Sequence, residues 1–394
     1  MMLLVCGSVQ KILVPQLYVK VQPGELDGSG ALLAGKDVNI NLSGDLTNSG
    51  TIYGRNVVSL TAENVNNLGG RIGGNDVSVA AREDLNNMGG SISAINSLSA
   101  TAGRNLNVQT TTQTTRTDMG SSTRIDRVAG LYVSGSNGAL VANAGQDMNI
   151  VVGVVSNAGS GATSLVAGNN FTLSSFKTSD QLDVVWNANN YNKFSSSTDV
   201  GSTITAEGNI TLQAGQTLKA TAASVQAAGA LNINATEVSI QSGQATQASD
   251  QARQTTSKGF LNSTTITTRD TSSSTTAVGS SLGGATVAIT ASKDIRILGS
   301  NVVSDGVAVG SGTTLTAGGN VSIEAVQNTS SSSSYRNETS SGLMSGGGLS
   351  ISYGDQMQSN DGEDTTTTAA ASTVGSVGGN VTITSGNQYK QVGS

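Results

Sequence analysis

Gly35-Lys36-Asp37-Val38-Asn39-Ile40, Gly54-Arg55-Asn56-Val57-Val58-Ser59-Leu60 and Gly74-Asn75-Asp76-Val77-Ser78-Val79 are one motif written three times, and their spacing decides the fold. A second set lies between them: Leu46-Thr47-Asn48-Ser49-Gly50, Val65-Asn66-Asn67-Leu68-Gly69-Gly70 and Leu85-Asn86-Asn87-Met88-Gly89-Gly90. Both sets recur after 19 and 20 residues. A third apolar step follows at Thr51-Ile52, Arg71-Ile72 and Ser91-Ile92, and Gly103-Arg104-Asn105-Leu106-Asn107-Val108 opens another turn. Alternation such as Val77-Ser78-Val79 has period two, so alternate side chains face one interior. The strands are short and end at Gly, Asn or Asp, residues that accept or supply the backbone turns of a corner. Three strands and three corners in about 20 residues predict one coil of a right-handed parallel β-helix, an all-β solenoid stacked at about 4.8 Å.

Composition agrees with a narrow interior filled by aliphatic ladders. The 394 residues include 50 glycines, two prolines, one cysteine, no histidine and twelve aromatics. Large globular cores spend many aromatics, each burying 150–250 Å². Without histidine there is no imidazole base, Ser-His-Asp relay or histidine-ligated metal. Cys6 alone forms no intrachain disulfide or zinc cluster. No metal site and no cofactor is expected. A net charge of −6 disfavours nucleic acid as a partner. No apolar run approaches the 18 residues of a spanning helix, and Met1–Gly7 lacks the basic leader and length of a signal peptide.

The stacking predicts two corner columns, Asn48, Asn67 and Asn87 in one and Asp37, Asn56 and Asp76 in the other. Corner Asx side chains ordinarily cap turns, so these columns are assigned a structural role rather than calcium.

After Val108 the period slips. Asn105 and its equivalent Asp147 are 42 residues apart, so roughly one extra coil's length is inserted. Later coils recur at Gly168–Leu173, Gly208–Leu212, Gly229–Ile233, Lys293–Ile297, Gly319–Ile323 and Gly379–Ile383. The chain thus divides into a lead-in (1–30) that reads as the start of a truncated frame, a regular repeat (31–108) and an irregular β-helix (109–394). The irregular part carries long β-hairpin or loop excursions at about 109–140, 174–201, 241–284 and 327–375. These are rich in Ser and Thr; composition alone makes Thr329–Glu338 disordered, whereas Thr264–Thr268 and Leu349–Tyr353 have strand character. Residues 171–194 hold five of the twelve aromatics: Phe171, Phe176, Trp186, Tyr191 and Phe194. Phe176, Trp186, Tyr191 and Phe194 are the candidate partner-binding residues. The competing and preferred reading packs the rings, holding the excursion against the helix wall. Asp361-Gly362-Glu363-Asp364 reads as a solvated acidic loop. No catalytic residue stands out.

Val14-Pro15-Gln16-Leu17-Tyr18-Val19-Lys20, followed by Gly28-Ser29-Gly30-Ala31-Leu32-Leu33-Ala34-Gly35, resembles the interior of filamentous haemagglutinin-type exoproteins, and most of all the CdiA type of contact-dependent growth inhibition. The Leu-Asn-Asn-x-Gly-Gly repeats are similar to that family's haemagglutinin repeats. Ser257-Lys258-Gly259-Phe260-Leu261, Ala277–Leu282 and Ser341–Gly348 are similar to its second, irregular repeat region. The resemblance implies a non-enzymatic segment of a two-partner secretion exoprotein, exported through an outer-membrane transporter and displayed at the bacterial surface. It further implies a stalk and a contact or toxin-delivery region acting on a target-cell surface or outer membrane. The secretion domain that would engage the transporter is not recognisable here. A plain adhesin for host glycan or matrix, or a β-helical polysaccharide-active enzyme, are the alternatives.

Overall fold

The computed structural model describes residues 2–5, 8–11, 31–306, 311–345 and 351–393. Met2–Val5 and Ser8–Lys11 form a small antiparallel pair; the rest of the lead-in, including Val14–Lys20, lies outside the described residues, as do Leu349 and Ser350. From Leu32 onward the chain is a parallel β-helix. Its clearest ladder holds eleven strands, one per coil, running from Leu46–Asn48 through Leu106–Gln109 and Phe171–Ser174 to Tyr389–Val392. Two further ladders close the coil. In the first four coils they are halves of single long strands, Leu32–Asn41, Thr51–Ala62, Arg71–Ala81 and Ser91–Ala102. In later coils they are separate strands such as Gly130–Val133 and Ala139–Ala144.

Period-two burial fixes the inside. One inward column runs Val65, Leu85, Leu106, Met148, Phe171, Leu218, Val238, Ile295, Val321, each residue paired with the next coil's equivalent. All nine are buried. At about 1.5–3 kcal/mol per buried aliphatic side chain, such columns hold neighbouring coils together, and no contact needs to reach beyond the next coil. Phe171 is the one buried ring in this column; Tyr389, which follows Val321 in the last coil, is exposed. Unbranched Met148 lies above Phe171 and Leu218 below, and Met adapts to irregular gaps. Phe171 therefore belongs to the core, apart from the aromatic group its sequence neighbourhood suggests.

Among the described residues, all four excursions are hairpins. They are Thr112–Thr117 with Gly120–Ile125, Phe176–Asn187 with Asn190–Val200, Gly243–Lys258 with Asn262–Val278, and Val326–Ser345 with Ile351–Ala370. Thr329–Glu338, disordered by composition, is the middle of the Val326–Ser345 strand; Asp361–Asp364 lie within Ile351–Ala370, on a strand rather than a loop. The hairpins join edge to edge into one eight-stranded antiparallel sheet beside the solenoid.

Their placement follows a rule. Each leaves at the same corner, and they follow coils four, six, eight and ten. A hairpin contributes two strands and two coils rise by the same amount, because stacked coils and paired strands share a spacing of about 4.8 Å. One hairpin per two coils thus keeps both sheets in step. At this corner, coils two, three, five, seven and nine turn instead on a positive-φ residue: Gly69 (70°), Gly89 (60°), Val152 (52°), Ala222 (50°) and Gly299 (51°).

Candidate contact surface

The lateral sheet has side chains on two faces and, among the described residues, no second layer over either, so apolar burial contributes little to it. Its stability comes from the backbone ladder, β-branched threonines and hydroxyl pairs between opposed strands. Ser197 pairs with Thr246 (2.7 Å), Ser249 with Ser272 (2.8 Å), Thr271 with Ser333 (2.7 Å) and Ser273 with Ser331 (2.8 Å). Three of these four bonds cross from one hairpin to the next. This explains the Ser/Thr bias physically: hydroxyls satisfy each other across strands where no core exists.

The four candidate aromatic residues sit on the second hairpin. Its strands pair with each other and with the first and third hairpins. The excursion is held through its strand pairing; Phe176 and Phe194 stand opposite residues of their own hairpin, and Tyr191 alone of the four has a hydrogen-bond partner on a neighbouring one. Phe176, at the base, is opposite Val200, and Phe194 is opposite Leu182; both rings are half-buried. Trp186, beside the tip, is 70% exposed. Tyr191 is tied down: its hydroxyl donates to Asp250 Oδ1 (3.1 Å) on the third hairpin, and Lys193 Nζ lies 5.5 Å from its ring centroid. Arg269 grips the same carboxylate through Nε (3.1 Å) and Nη2 (2.9 Å). The guanidinium of Arg269, with the Tyr191 hydroxyl, holds the Asp250 carboxyl below its ordinary range despite partial burial. Burial and the adjacent carboxylate push the Tyr191 phenol up. Arg124 Nη2, 3.2 Å from Asp180 Oδ1, links the first hairpin to the second.

The hairpins lengthen along the stack, with strands of 6, 12, 16 and 20 residues in their first arms. Each tip therefore ends on a ledge of the next, longer hairpin. Large apolar side chains stand exposed on these ledges: Met119 on the first, Val185 and Trp186 on the second, Phe260 and Leu261 on the third. A groove of about 690 Å³ lies at the second ledge, lined by Trp186, Asn192, Gln251, Arg253, Thr268 and Asp270 among others.

The corner residues separate into two cases. Asn48, Asn67 and Asn87 stand in one buried column. Asn48 Nδ2 donates to Asn67 Oδ1 and Asn67 Nδ2 to Asn87 Oδ1, both at 2.8 Å, and Asn87 Nδ2 ends the chain on the Gly130 carbonyl (3.1 Å). The second column is corrected. Asp37 and Asp76 each pair with Val57, and Asn56 falls in a bulge, because Gly54–Val57 carries one residue more than Gly35–Asp37. The column that does cap a corner was missed: Asp45, Asn64, Asp84, Asn105, Asp147 and Asn170, where the side-chain oxygen of one member accepts the backbone N–H of its equivalent in the following coil at 3.0–3.3 Å. Its signal is an Asx directly before the first inward apolar residue, as in Asn105-Leu106 and Asn170-Phe171. Arg104 holds the Asp84 carboxyl below its ordinary range.

Also missed were the serines at which hairpins rejoin the coil. Ser202 Oγ donates to the Ile150 carbonyl (2.7 Å), Ser280 Oγ to that of Gln241 (2.8 Å) and Ser372 Oγ to that of Glu324 (2.6 Å). Ser280 Oγ also accepts the Ala223 N–H (3.0 Å). Gly201-Ser202-Thr203-Ile204, Gly279-Ser280-Ser281-Leu282 and Ala371-Ser372-Thr373-Val374 share a small-Ser-Ser/Thr-apolar pattern that could have revealed them.

Among the described residues, no helix is long and apolar enough to cross a membrane. The hemagglutinin repeat family model matches residues 186–270 and 261–394, which together span more than half of the chain and three of the hairpins in whole or part. The chain is 39% identical over 135 residues to a 16S rRNA endonuclease CdiA of Enterobacter cloacae, covering 34% of this chain and 4% of that protein. It is 40% identical over 136 residues to a tRNA nuclease CdiA of Burkholderia pseudomallei, covering 34% and 10% respectively. With a tRNA nuclease CdiA of Escherichia coli STEC_O31 it shares 32% identity over 199 residues, half of this chain and 5% of that one. The matched stretch is thus a tenth or less of each relative's length, and no solved structure matches. A β-helix whose sequence repeats in this way, matched over most of its hairpin-bearing half, belongs to the hemagglutinin repeat family in its CdiA-type form.

Proposed function

We propose that this chain is a non-enzymatic repeat segment of a secreted bacterial cell-surface exoprotein. Its first four coils serve as stalk, and the lateral sheet serves as the contact or toxin-delivery region in contact-dependent growth inhibition. The observation that carries this reading is the single sheet assembled from four excursions of one corner, a surface far larger than solenoid closure requires. Positive-φ residues close the same corner at other coils, so the hairpins are not needed for the turn. The nuclease names of the relatives describe proteins at least ten times longer than the matched segment, and the nuclease activity is assigned to their other regions. Export would use an outer-membrane two-partner secretion transporter, and the partner would be the target-cell surface.

The test restores these repeats within a full-length exoprotein and replaces Phe176–Val200 with a short turn copied from Thr221-Ala222-Ala223. Attachment to target cells and entry of the carried toxin are then scored separately, with surface display as control. Loss of attachment or entry at normal display is expected. Undiminished attachment and entry would overturn the assignment of the sheet as contact region.

A further inference from the structure

The groove at the second ledge has the composition of a binding site for an uncharged, hydroxyl-rich ligand. Asn192, Gln251 and Asp270 are directly opposed on three successive strands, so their side chains share one face. Arg253 and Thr268 form the next row outward, and Trp186 rises beside them from the tip of the shorter hairpin. The row of three spans roughly 10 Å, two inter-strand steps. None of the side chains of Asn192, Gln251, Arg253 and Asp270 has a hydrogen-bond or ion-pair partner among the described residues. On the other face of the same strands, by contrast, Tyr191, Asp250 and Arg269 engage each other.

These groups define the ligand's chemistry. One guanidinium and one carboxylate leave the groove without net charge, which selects neither an anion nor a cation. The amides and the carboxylate offer acceptors and donors side by side, the pattern that vicinal hydroxyls satisfy. A single exposed indole beside them offers a flat apolar face to a ring with one apolar side, and a volume of about 690 Å³ falls within the range of small-ligand sites. We propose that this groove binds an oligosaccharide, with a pyranose ring on the Trp186 face and its hydroxyl or acetamido groups on Asn192, Gln251, Arg253 and Asp270. The proposal deepens the reading of the lateral sheet as a contact region by naming what one of its ledges would touch.

Trp186 is the chain's sole tryptophan, so intrinsic indole fluorescence reads this groove alone. The intact chain is titrated with chitotriose and with maltotriose, and binding is measured in parallel by calorimetry. A saturable change in emission with either sugar is expected. Asp270→Asn and Arg253→Gln, both on exposed positions, should each weaken that binding about tenfold or more while circular dichroism stays unchanged. A charge-assisted hydrogen bond is worth enough to produce such a change. Absence of saturable binding for both sugars, or affinity in both variants undiminished from that of the parent chain, would overturn the proposal. The outcomes separate from those of the hairpin replacement: sugar binding without a delivery defect sinks the contact reading alone, and the reverse sinks the saccharide site alone.

Discussion

The first three coils and the eight that follow share one cross-section, yet they close the same corner differently. In the early coils that corner carries Gly69 and Gly89 at positive φ, and the adjoining inward position is Asn48, Asn67 or Asn87. In coils four to ten the same inward position is apolar: Val108, Ile150, Leu173, Ala220, Ile240, Ile297 and Ile323. The asparagine column thus ends where the hairpins begin. A buried amide ladder fixes a corner by hydrogen bonds along the stack, and every coil must repeat it. An apolar column is indifferent to what the corner does, so the corner is free to alternate between a tight turn and a long hairpin. The difference teaches that side-chain chemistry one position inside the corner decides whether a coil can carry an excursion.

The largest way to break the comparison is to remove one coil from each region. Deleting residues 71–90 takes out a whole regular coil and one rung of the asparagine ladder, and the stack should close with a modest loss of thermal stability. Deleting residues 203–223 also removes one coil, but it sets the second and third hairpins on adjacent coils. Four strands would then have to fit over three coils instead of four. Amide exchange should show wholesale loss of protection across Phe176–Val278 in that variant and little change outside the cut in the first.

The next effect is at single buried amides. Asn67→Ala removes the middle of the ladder, leaving an Asn48 donor and an Asn87 acceptor without their partner, while the Gly70 carbonyl keeps only the Ser91 N–H. A loss of about 3 kcal/mol is expected by denaturant unfolding. In the second region the comparable change is Ser280→Ala, which strands the Ala223 N–H and leaves the Gln241 carbonyl with the Ala222 N–H alone; about 1–2 kcal/mol is expected, read as faster exchange confined to the third hairpin.

How far the sequence could be read follows the same division. The 19- and 20-residue spacing made the β-helix and its inward columns legible, because each coil repeats its pattern locally. The register slip at Asn56 was not, since an extra residue in a bulge leaves the apolar alternation on either side intact. The lateral sheet was legible only as four separate excursions. Ser196 pairs with Gln247 and Ser274 with Ser330, strands distant in sequence with no apolar face to mark them. The groove was half visible: Trp186 stood out by type, whereas Gln251, Arg253 and Asp270 reach it only through pairing between hairpins.

Smaller effects sharpen the account. Ala222 turns the corner at positive φ, a conformation costing a non-glycine residue about 1 kcal/mol or more. Ala222→Gly should therefore raise stability by up to about 1 kcal/mol, and Gly89→Ala should lower it by at least as much, since Thr111 and Arg127 crowd the position its Cβ would take. The Asp250 carboxyl titrates below its unfolded value. Its contribution is present above about pH 4 and is lost as pH falls through the lower folded value. With its side chain about one-third exposed, the contribution is at most about 1 kcal/mol. Acidification from pH 6 to 3 should loosen the junction of the second and third hairpins, and Asp250→Asn should flatten that dependence.

The central claim is that four excursions form one sheet in a defined register. Cross-linking tests it most directly, in a Cys6→Ser background, between Thr265 and Thr339, which are opposed on the third and fourth hairpins. Thr265→Cys with Thr339→Cys should form a disulfide rapidly under mild oxidation, and Thr265→Cys with Ser340→Cys, whose side chains point to opposite faces, should not. Equal cross-linking of both pairs, or of neither, would contradict the sheet.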